Sequence, residues 1–130
     1  MADITIRRAS ADAAKEIKAS AHYAYVLRGI TLDGSKFAKG ALVVEGTCLV
    51  KDDVTGKYEQ YTETTPDTFE PGKSNPLILD ESVRFKLTDE GENPDVTVGQ
   101  CIVHGAVHES MLVGVTDAFK AQLAGAVRFV

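Results

Sequence analysis

Apolar and polar residues alternate along most of the chain beyond residue 32, and alternation with a period of two is the pattern of β-strands. Residues 41–50 predict a strand with two faces. One face is Leu42, Val44, Gly46, Cys48 and Val50, and the other is Glu45, Thr47 and Leu49. A turn at residues 53–56 and a returning strand at residues 57–61 complete a predicted β-hairpin. Residues 62–76 hold three of the four prolines and predict a long surface loop.

The second half of the chain continues the β pattern and then contains one helix. Residues 83–87 alternate cleanly between apolar and basic side chains, and residues 96–113 are again strand-like. Residues 116–125 predict a short helix, because Thr116 can cap its start and a glycine follows its last turn. Residues 126–130 predict a C-terminal strand.

The first 28 residues differ from the rest, because they contain neither glycine nor proline. Residues 3–8 alternate like a short edge strand, and residues 9–21 are rich in helix formers. We therefore expect an N-terminal arm, residues 1–28, that orders on binding, although a helix packed on the same domain explains the pattern equally well. The body, residues 29–130, is expected to be mainly β: a small β-clip or partly open β-barrel-like domain with one short C-terminal helix and a flexible N-terminal arm.

Length and charge narrow the function classes. A chain of 130 residues predicts one domain. Residues 1–40 carry seven Lys or Arg against four Asp or Glu, and residues 41–130 carry seven against fifteen. An acidic body argues against nucleic-acid binding, which needs a concentrated basic face. No apolar run approaches the roughly 18 residues of a membrane span, and the first residues do not resemble a signal peptide, so we expect a cytoplasmic protein unless it joins a larger assembly.

The densest candidate chemistry lies in VGQCIVHGAVHESML, which brings Cys101, His104, His108 and Glu109 within nine residues. These residue types bind zinc. In a straight strand, however, Cys101 and His104 point to opposite faces, and His104 and His108 lie about 13 Å apart. A bulge could bring one pair together, and His22 is expected to add no convergent ligand. A small metal-binding protein or metal-dependent enzyme using Cys101, His104 and His108 therefore stays an alternative.

Other catalytic and ligand-binding patterns do not fit. Residues 89–95 form an acidic turn, but their spacing is not that of a calcium-binding EF-hand loop. Residues 51–57 lack the glycines of a phosphate-binding loop, and no G-x-S-x-G motif occurs. Cys48 and Cys101 fall on predicted apolar faces, where a thiol is inert. We therefore expect a protein that is not an enzyme and needs no cofactor.

The order of elements beyond residue 30 resembles that of the lambda-type bacteriophage head decoration proteins, also called capsid cement proteins. The resemblance covers residues 30–130, and its weight comes from order and spacing. The matching features are a hairpin, KGALVVEGTCLVKDDVTGKY; an acidic turn at residues 89–95; a V-x-G-x-V strand formed by Val103, Gly105 and Val107; an E-x-x-L continuation at residues 109–112; a D-A-x-K-x-x-L helix at residues 117–123; and a closing apolar strand at residues 127–130.

This resemblance implies a β-clip protein that binds the outer surface of the expanded capsid as a homotrimer at local threefold positions and stabilises it. The implied partners are the major capsid protein and the chain itself, and the implied location is the virion, after assembly in the host cytoplasm. The implied capsid-binding residues in the arm are Ile4, Thr5, Ile6, Arg7 and Arg8, acting by strand addition. The helix-like residues 10–20 depart from an extended arm. Another virion β-module, of a tail or adhesion type, would instead bind through residues 62–76.

Overall fold

The computed structural model describes residues 16–86, 91 and 93–130, and it confirms a mainly β fold with a curled, half-barrel sheet and one short helix. Two short 3-10 turns, at Gly34–Lys36 and Glu109–Met111, interrupt the described chain. The elements, in chain order, are β1 (Ala24–Tyr25), β2 (Ile30–Leu32), β3 (Leu42–Val43), β4 (Cys48–Asp52), β5 (Tyr58–Gln60), β6 (Lys73–Leu79), β7 (Val83–Arg84), β8 (Val96–Val98), β9 (Cys101–Val107), α1 (Asp117–Gln122) and β10 (Val127–Phe129).

The main sheet has the strand order β1-β9-β6-β4-β5-β2-β8, and β10 pairs with β9 in addition. Strand β9 is the branching point, because it pairs along both of its edges. Ile102 lies opposite both Tyr25 in β1 and Ile78 in β6, while Val107 lies opposite both Lys18 and Phe129 in β10. Strands β3 and β7 form a separate two-stranded sheet.

The core consists of two clusters, one on each side of the central strand β4. Cys48 and Val50 belong to the first cluster and Leu49 to the second, so both predicted faces of this strand are buried. The first cluster also contains Ile17, Tyr61, Ile78, Ile102, Val107, Phe119, Leu123 and Val127. The second contains Ile30, Leu32, Val43, Tyr58, Leu77, Leu79, Phe85, Val98 and Cys101.

The predicted hairpin is confirmed as β4 and β5, but the predicted strand of residues 41–50 is broken at Gly46. Its φ is +92°, a left-handed conformation that favours glycine, and a Cβ there would lie 2.5 Å from the Met111 carbonyl oxygen. Gly46 N–H donates to the Leu79 carbonyl (2.7 Å), and its own carbonyl accepts from Val113 N–H (2.9 Å). The chain turns here to join a different part of the body, so β3 and β4 are separate strands.

The predicted loop of residues 62–76 is too long, because β6 already begins at Lys73. Leu49 lies opposite Leu77 and Lys51 opposite Ser74, which leaves one extra residue in β6 and makes a β-bulge. The bulge contains Asn75, with φ of +49°, and Pro76. Proline is tolerated at such a bulge because no regular ladder hydrogen bond is needed from its nitrogen. The proline that seemed to exclude a strand therefore lies inside one.

The C-terminal helix is confirmed as α1. The Thr116 hydroxyl accepts a hydrogen bond from Phe119 N–H at 3.1 Å, the N-cap contact that the sequence predicts. Phe119 and Leu123 are buried beneath the helix, and the chain then returns as β10. The predicted acidic turn at residues 89–95 is described in part, because residues 87–90 and 92 lie outside the described residues. Its last residue, Asp95, forms a salt bridge with Lys57, with 2.7 Å between Asp95 Oδ2 and Lys57 Nζ.

Residues 16–28 of the predicted arm lie on the body, and the predicted helix is wrong for residues 16–20. These residues are not helical; Lys18 forms an antiparallel bridge with Val107. Backbone pairing to β9 and burial of Ile17 provide more stabilisation than a short alanine-rich helix could. The rest of that predicted helix, in residues 9–15, lies outside the described residues. The division into an arm of residues 1–28 and a body of residues 29–130 stays a prediction.

Candidate functional site

The segment of residues 16–26, here called the N-terminal strap, lies along β9 and is held by backbone hydrogen bonds. His108 N–H donates to the Ile17 carbonyl at 2.7 Å, and Ala19 N–H donates to the Ala106 carbonyl at 2.9 Å. At the other end Val26 N–H donates to the Cys101 carbonyl at 3.0 Å. The strap therefore follows the whole length of β9, and Glu16, its first residue, lies beside the C-terminal end of that strand.

Gly105, the central glycine of V-x-G-x-V, lies where His22 and Tyr23 of the strap pass close to β9. Its φ is +145°, and a Cβ there would lie 3.0 Å from the Tyr23 Cβ and 3.2 Å from the His22 carbonyl oxygen. Next to this crossing, Ala24 lies opposite His104 and Tyr25 lies opposite Ile102, so β9 holds one extra residue in a β-bulge. A residue with a side chain at position 105 would push the strap away from the strand.

The buried carboxylate of Asp80 links the strap to the body. The Asp80 side chain is only 1% exposed, and its Oδ2 accepts from the Lys18 ammonium at 2.7 Å. The Tyr25 hydroxyl donates to the same oxygen in a short hydrogen bond. The other oxygen, Oδ1, has no hydrogen-bond partner within the described part of the chain. Asp80 therefore depends on two strap residues for its stabilisation, and removing either one leaves a buried charge poorly paired.

The pKa values of the two donors follow from this arrangement. Burial raises the pKa of the Tyr25 hydroxyl, and the hydrogen bond to Asp80 raises it further. For Lys18, burial opposes the charged form, but the hydrogen bonds to Asp80 and Glu16 outweigh it and raise the pKa. Lys18 thus stays charged and Tyr25 stays protonated at neutral pH, which keeps both contacts to Asp80 in place.

Apolar and aromatic contacts complete the attachment of the strap. Ile17 is fully buried in the first core cluster. The Lys18 Nζ lies 4.9 Å from the centroid of the Tyr23 ring, a cation–π contact, and the Tyr23 and Tyr25 rings are 5.2 Å apart. The strap is therefore integral to the core as well as to the sheet.

The residues of the predicted zinc set are placed very differently from one another. Cys101 is fully buried, His104 is exposed and His108 is half-buried. Burial raises the pKa of both Cys48 and Cys101 to about 12, so both thiols are protonated and unreactive at neutral pH. Among residues 16–86, 91 and 93–130, no group of three or more His, Cys, Asp or Glu side chains could hold a metal ion.

The sequence predicts that His22 adds no convergent ligand. It completes no group of three ligands within the described residues, but its ring does lie beside that of His104. The His22 and His104 rings are 6.1 Å apart between centroids, with an angle of 69° between their planes. The sequence separation of 82 residues hid this contact, because it depends on the strap lying antiparallel to β9. Both imidazoles are exposed at the surface.

The predicted capsid-binding residues Ile4, Thr5, Ile6, Arg7 and Arg8 lie outside the described residues. The sequence does not predict how the strap, residues 16–26, is attached to the body. Asp80 follows the apolar run Leu77–Leu79, and nothing in that pattern distinguishes a buried acid from the start of a solvated turn. The isolated Ile17 between charged residues was the one available sign that residues 16–18 join the core.

No protein-family model matches the chain, and neither a curated protein nor a solved structure matches it. Within the described residues, no helix is long and apolar enough to cross a membrane.

Proposed function

We propose that this chain is a non-enzymatic structural protein of a phage head, which binds the outer surface of the expanded capsid as a homotrimer at local threefold positions and stabilises the shell. Its partner is the major capsid protein, and its residues 1–15 supply the contact. The single observation that carries the proposal is the strap, which is fixed along the V-x-G-x-V strand by backbone pairing directly after residues 1–15 in the sequence.

The strap suits a protein that must transmit force from an N-terminal contact to its body. Backbone pairing to β9, the buried Ile17 and the Asp80 contacts fix residues 16–26 in one position. A contact made by residues 1–15 would therefore pull on the central sheet. A freely jointed linker in the same place would let the body move away from the shell and would stabilise it less.

The residues ahead of the strap have the composition for strand addition. Ile4 and Ile6 alternate with Thr5, and Arg7 and Arg8 follow. An added strand gains affinity from backbone hydrogen bonds, while alternate side chains set its register. The basic pair favours an acidic or polar surface on the partner.

A homotrimer would suit the same role. Three linked arms that meet three equivalent sites bind with a high effective concentration after the first arm is engaged. A moderate affinity for each arm would then be sufficient for durable binding to a shell that presents many such positions.

Co-sedimentation with expanded capsids of the cognate phage tests the proposal. The full-length chain is compared with a chain that lacks residues 1–15, a deletion that keeps Ile17 and Lys18 and thus the strap. We expect the full-length chain to pellet with capsids at saturable stoichiometry and the deletion to lose most of that binding. Failure of the full-length chain to bind would refute the capsid role, and equal binding by the deletion would refute the role of residues 1–15.

A matched charge control separates the basic pair from general electrostatics. Arg7→Ala with Arg8→Ala removes two positive charges from the arm, and Lys36→Ala with Lys39→Ala removes two from exposed positions of the body. We expect only the first double variant to weaken capsid binding. Equal weakening by both would assign the effect to net charge and not to a contact made by the arm.

A further inference from the structure

The structure brings two histidine rings together where the strap lies on β9. His22 precedes β1, and His104 lies in β9 opposite Ala24, so the strand pairing of the strap brings the two imidazoles together. Their ring centroids are 6.1 Å apart at 69°, and both rings are exposed to solvent. We infer that His22 and His104 form a two-imidazole site for a divalent transition-metal ion, which would link the strap to β9.

The separation is close to what coordination requires. A nitrogen-to-zinc distance of about 2.1 Å in a tetrahedral site puts the centroids of two ligating imidazoles about 5 Å apart. The observed separation exceeds this by about an ångström, a difference that small rotations about the side-chain torsions of two exposed residues can close.

The backbone that carries the two rings is fixed on both sides. The His22 carbonyl and the Tyr23 Cβ lie against Gly105, and His22 N–H donates to the Ser20 hydroxyl at 3.0 Å. The Lys18 and Tyr25 contacts to Asp80 hold the strap on either side of His22. A site on such a preorganised scaffold loses less conformational entropy on binding than one on a mobile loop.

The surroundings set the class of ion and the strength of binding. Two protein imidazoles leave the remaining coordination positions to water, and the exposed His104 also lines a surface cavity of about 350 Å³. Imidazole ligands favour Cu²⁺, Ni²⁺ and Zn²⁺ over Mg²⁺ and Ca²⁺, which prefer oxygen. Arg128 lines the same cavity, and the Lys18 ammonium lies over the neighbouring Tyr23 ring. Both positive charges oppose a cation, so binding is expected in the micromolar range and not tighter.

The test uses full-length protein without a polyhistidine tag, titrated with Ni²⁺, Cu²⁺ and Zn²⁺ by isothermal calorimetry at neutral pH, with Mg²⁺ as the control ion. We expect one ion per chain, together with a rise in Tm, and no binding of Mg²⁺ at this site. His22→Gln and His104→Gln should each weaken binding by about tenfold or more.

His108→Gln is the matched control, since His108 is the only other histidine in the chain. Its substitution should leave affinity and stoichiometry unchanged, and Arg128→Gln should strengthen binding by removing a repelling charge. The inference would be overturned if none of the three transition metals bound to the protein. An unchanged affinity in either His22→Gln or His104→Gln, or an equal loss in His108→Gln, would overturn it as well.

Discussion

Replacement of Ile17 by alanine tests whether the strap is part of the core. Ile17 is fully buried, and its Cγ2 packs 3.4 Å from the position that a Cβ on Gly46 would occupy. The substitution removes three carbon atoms, worth about 2.4 kcal/mol at roughly 0.8 kcal/mol for each buried methylene. A residual cavity adds to this loss, and buried isoleucine-to-alanine changes cost about 2–5 kcal/mol. We therefore expect a loss of about 3 kcal/mol in the free energy of unfolding.

Equilibrium unfolding in urea, followed by far-ultraviolet circular dichroism, measures this loss. The matched control is Leu27→Ala, because Leu27 is 90% exposed just beyond the strap and its truncation should change stability by about 0.5 kcal/mol or less. If Ile17→Ala lowered stability no more than Leu27→Ala, with the same dependence on urea, the strap would not be packed in the core and the attachment described above would be wrong.

Three further substitutions test other parts of the account. Gly105→Ala should cost about 2 kcal/mol or more in the free energy of unfolding, because position 105 combines a φ of +145° with a 3.0 Å approach to Tyr23. Gly99→Ala is the control, because position 99 has open space around it and the substitution should be neutral or slightly stabilising. Equal losses of stability in the two variants would contradict this prediction. Asp80→Asn should lower the free energy of unfolding by about 2–3 kcal/mol, because it leaves the Lys18 ammonium without its buried partner. A double-mutant cycle with Lys18→Met, measured by urea unfolding, should show that the two changes are coupled. Strictly additive effects of the two substitutions would argue against the contact. Asp52 has its pKa lowered to about 2 by the hydrogen bond from Lys73 and by backbone N–H groups of Thr55 and Val54. Since the folded pKa lies below the unfolded value of about 3.9, this stabilisation is complete above pH 4 and is lost as pH falls towards 2. The urea midpoint should therefore fall less steeply over that range in Asp52→Asn than in the unchanged chain, and parallel curves would refute the assignment.

The local features of the fold could be predicted where they depend on neighbouring residues. The hairpin turn, the Thr116 cap and the alternation at Val83–Arg84 and Phe85 all follow from contacts within a few positions. The predicted run through Gly46 and the predicted loop up to Pro76 failed for the opposite reason. In both places a distant part of the chain, Met111 in one case and β4 in the other, determines the local backbone.

The candidate site shows the same limit more clearly. The strand with Gly105 could be selected from the sequence, but the reason for its glycine lies in residues 22 and 23, more than 80 positions earlier. Asp80 and His22 gain their contacts with Lys18 and His104 only when the strap pairs with β9. Sequence patterns report which face of an element is apolar, and they do not report which remote segment crosses it.

The central claim is that residues 1–15, carried by the strap, attach this chain to a phage capsid. Cryo-electron microscopy of expanded capsids incubated with the full-length protein tests it most directly. The account predicts added density for three copies around each local threefold position, with residues 1–15 ordered against the major capsid protein below the end of β9. Capsids without added density, or added density in which residues 1–15 point away from the shell, would contradict it.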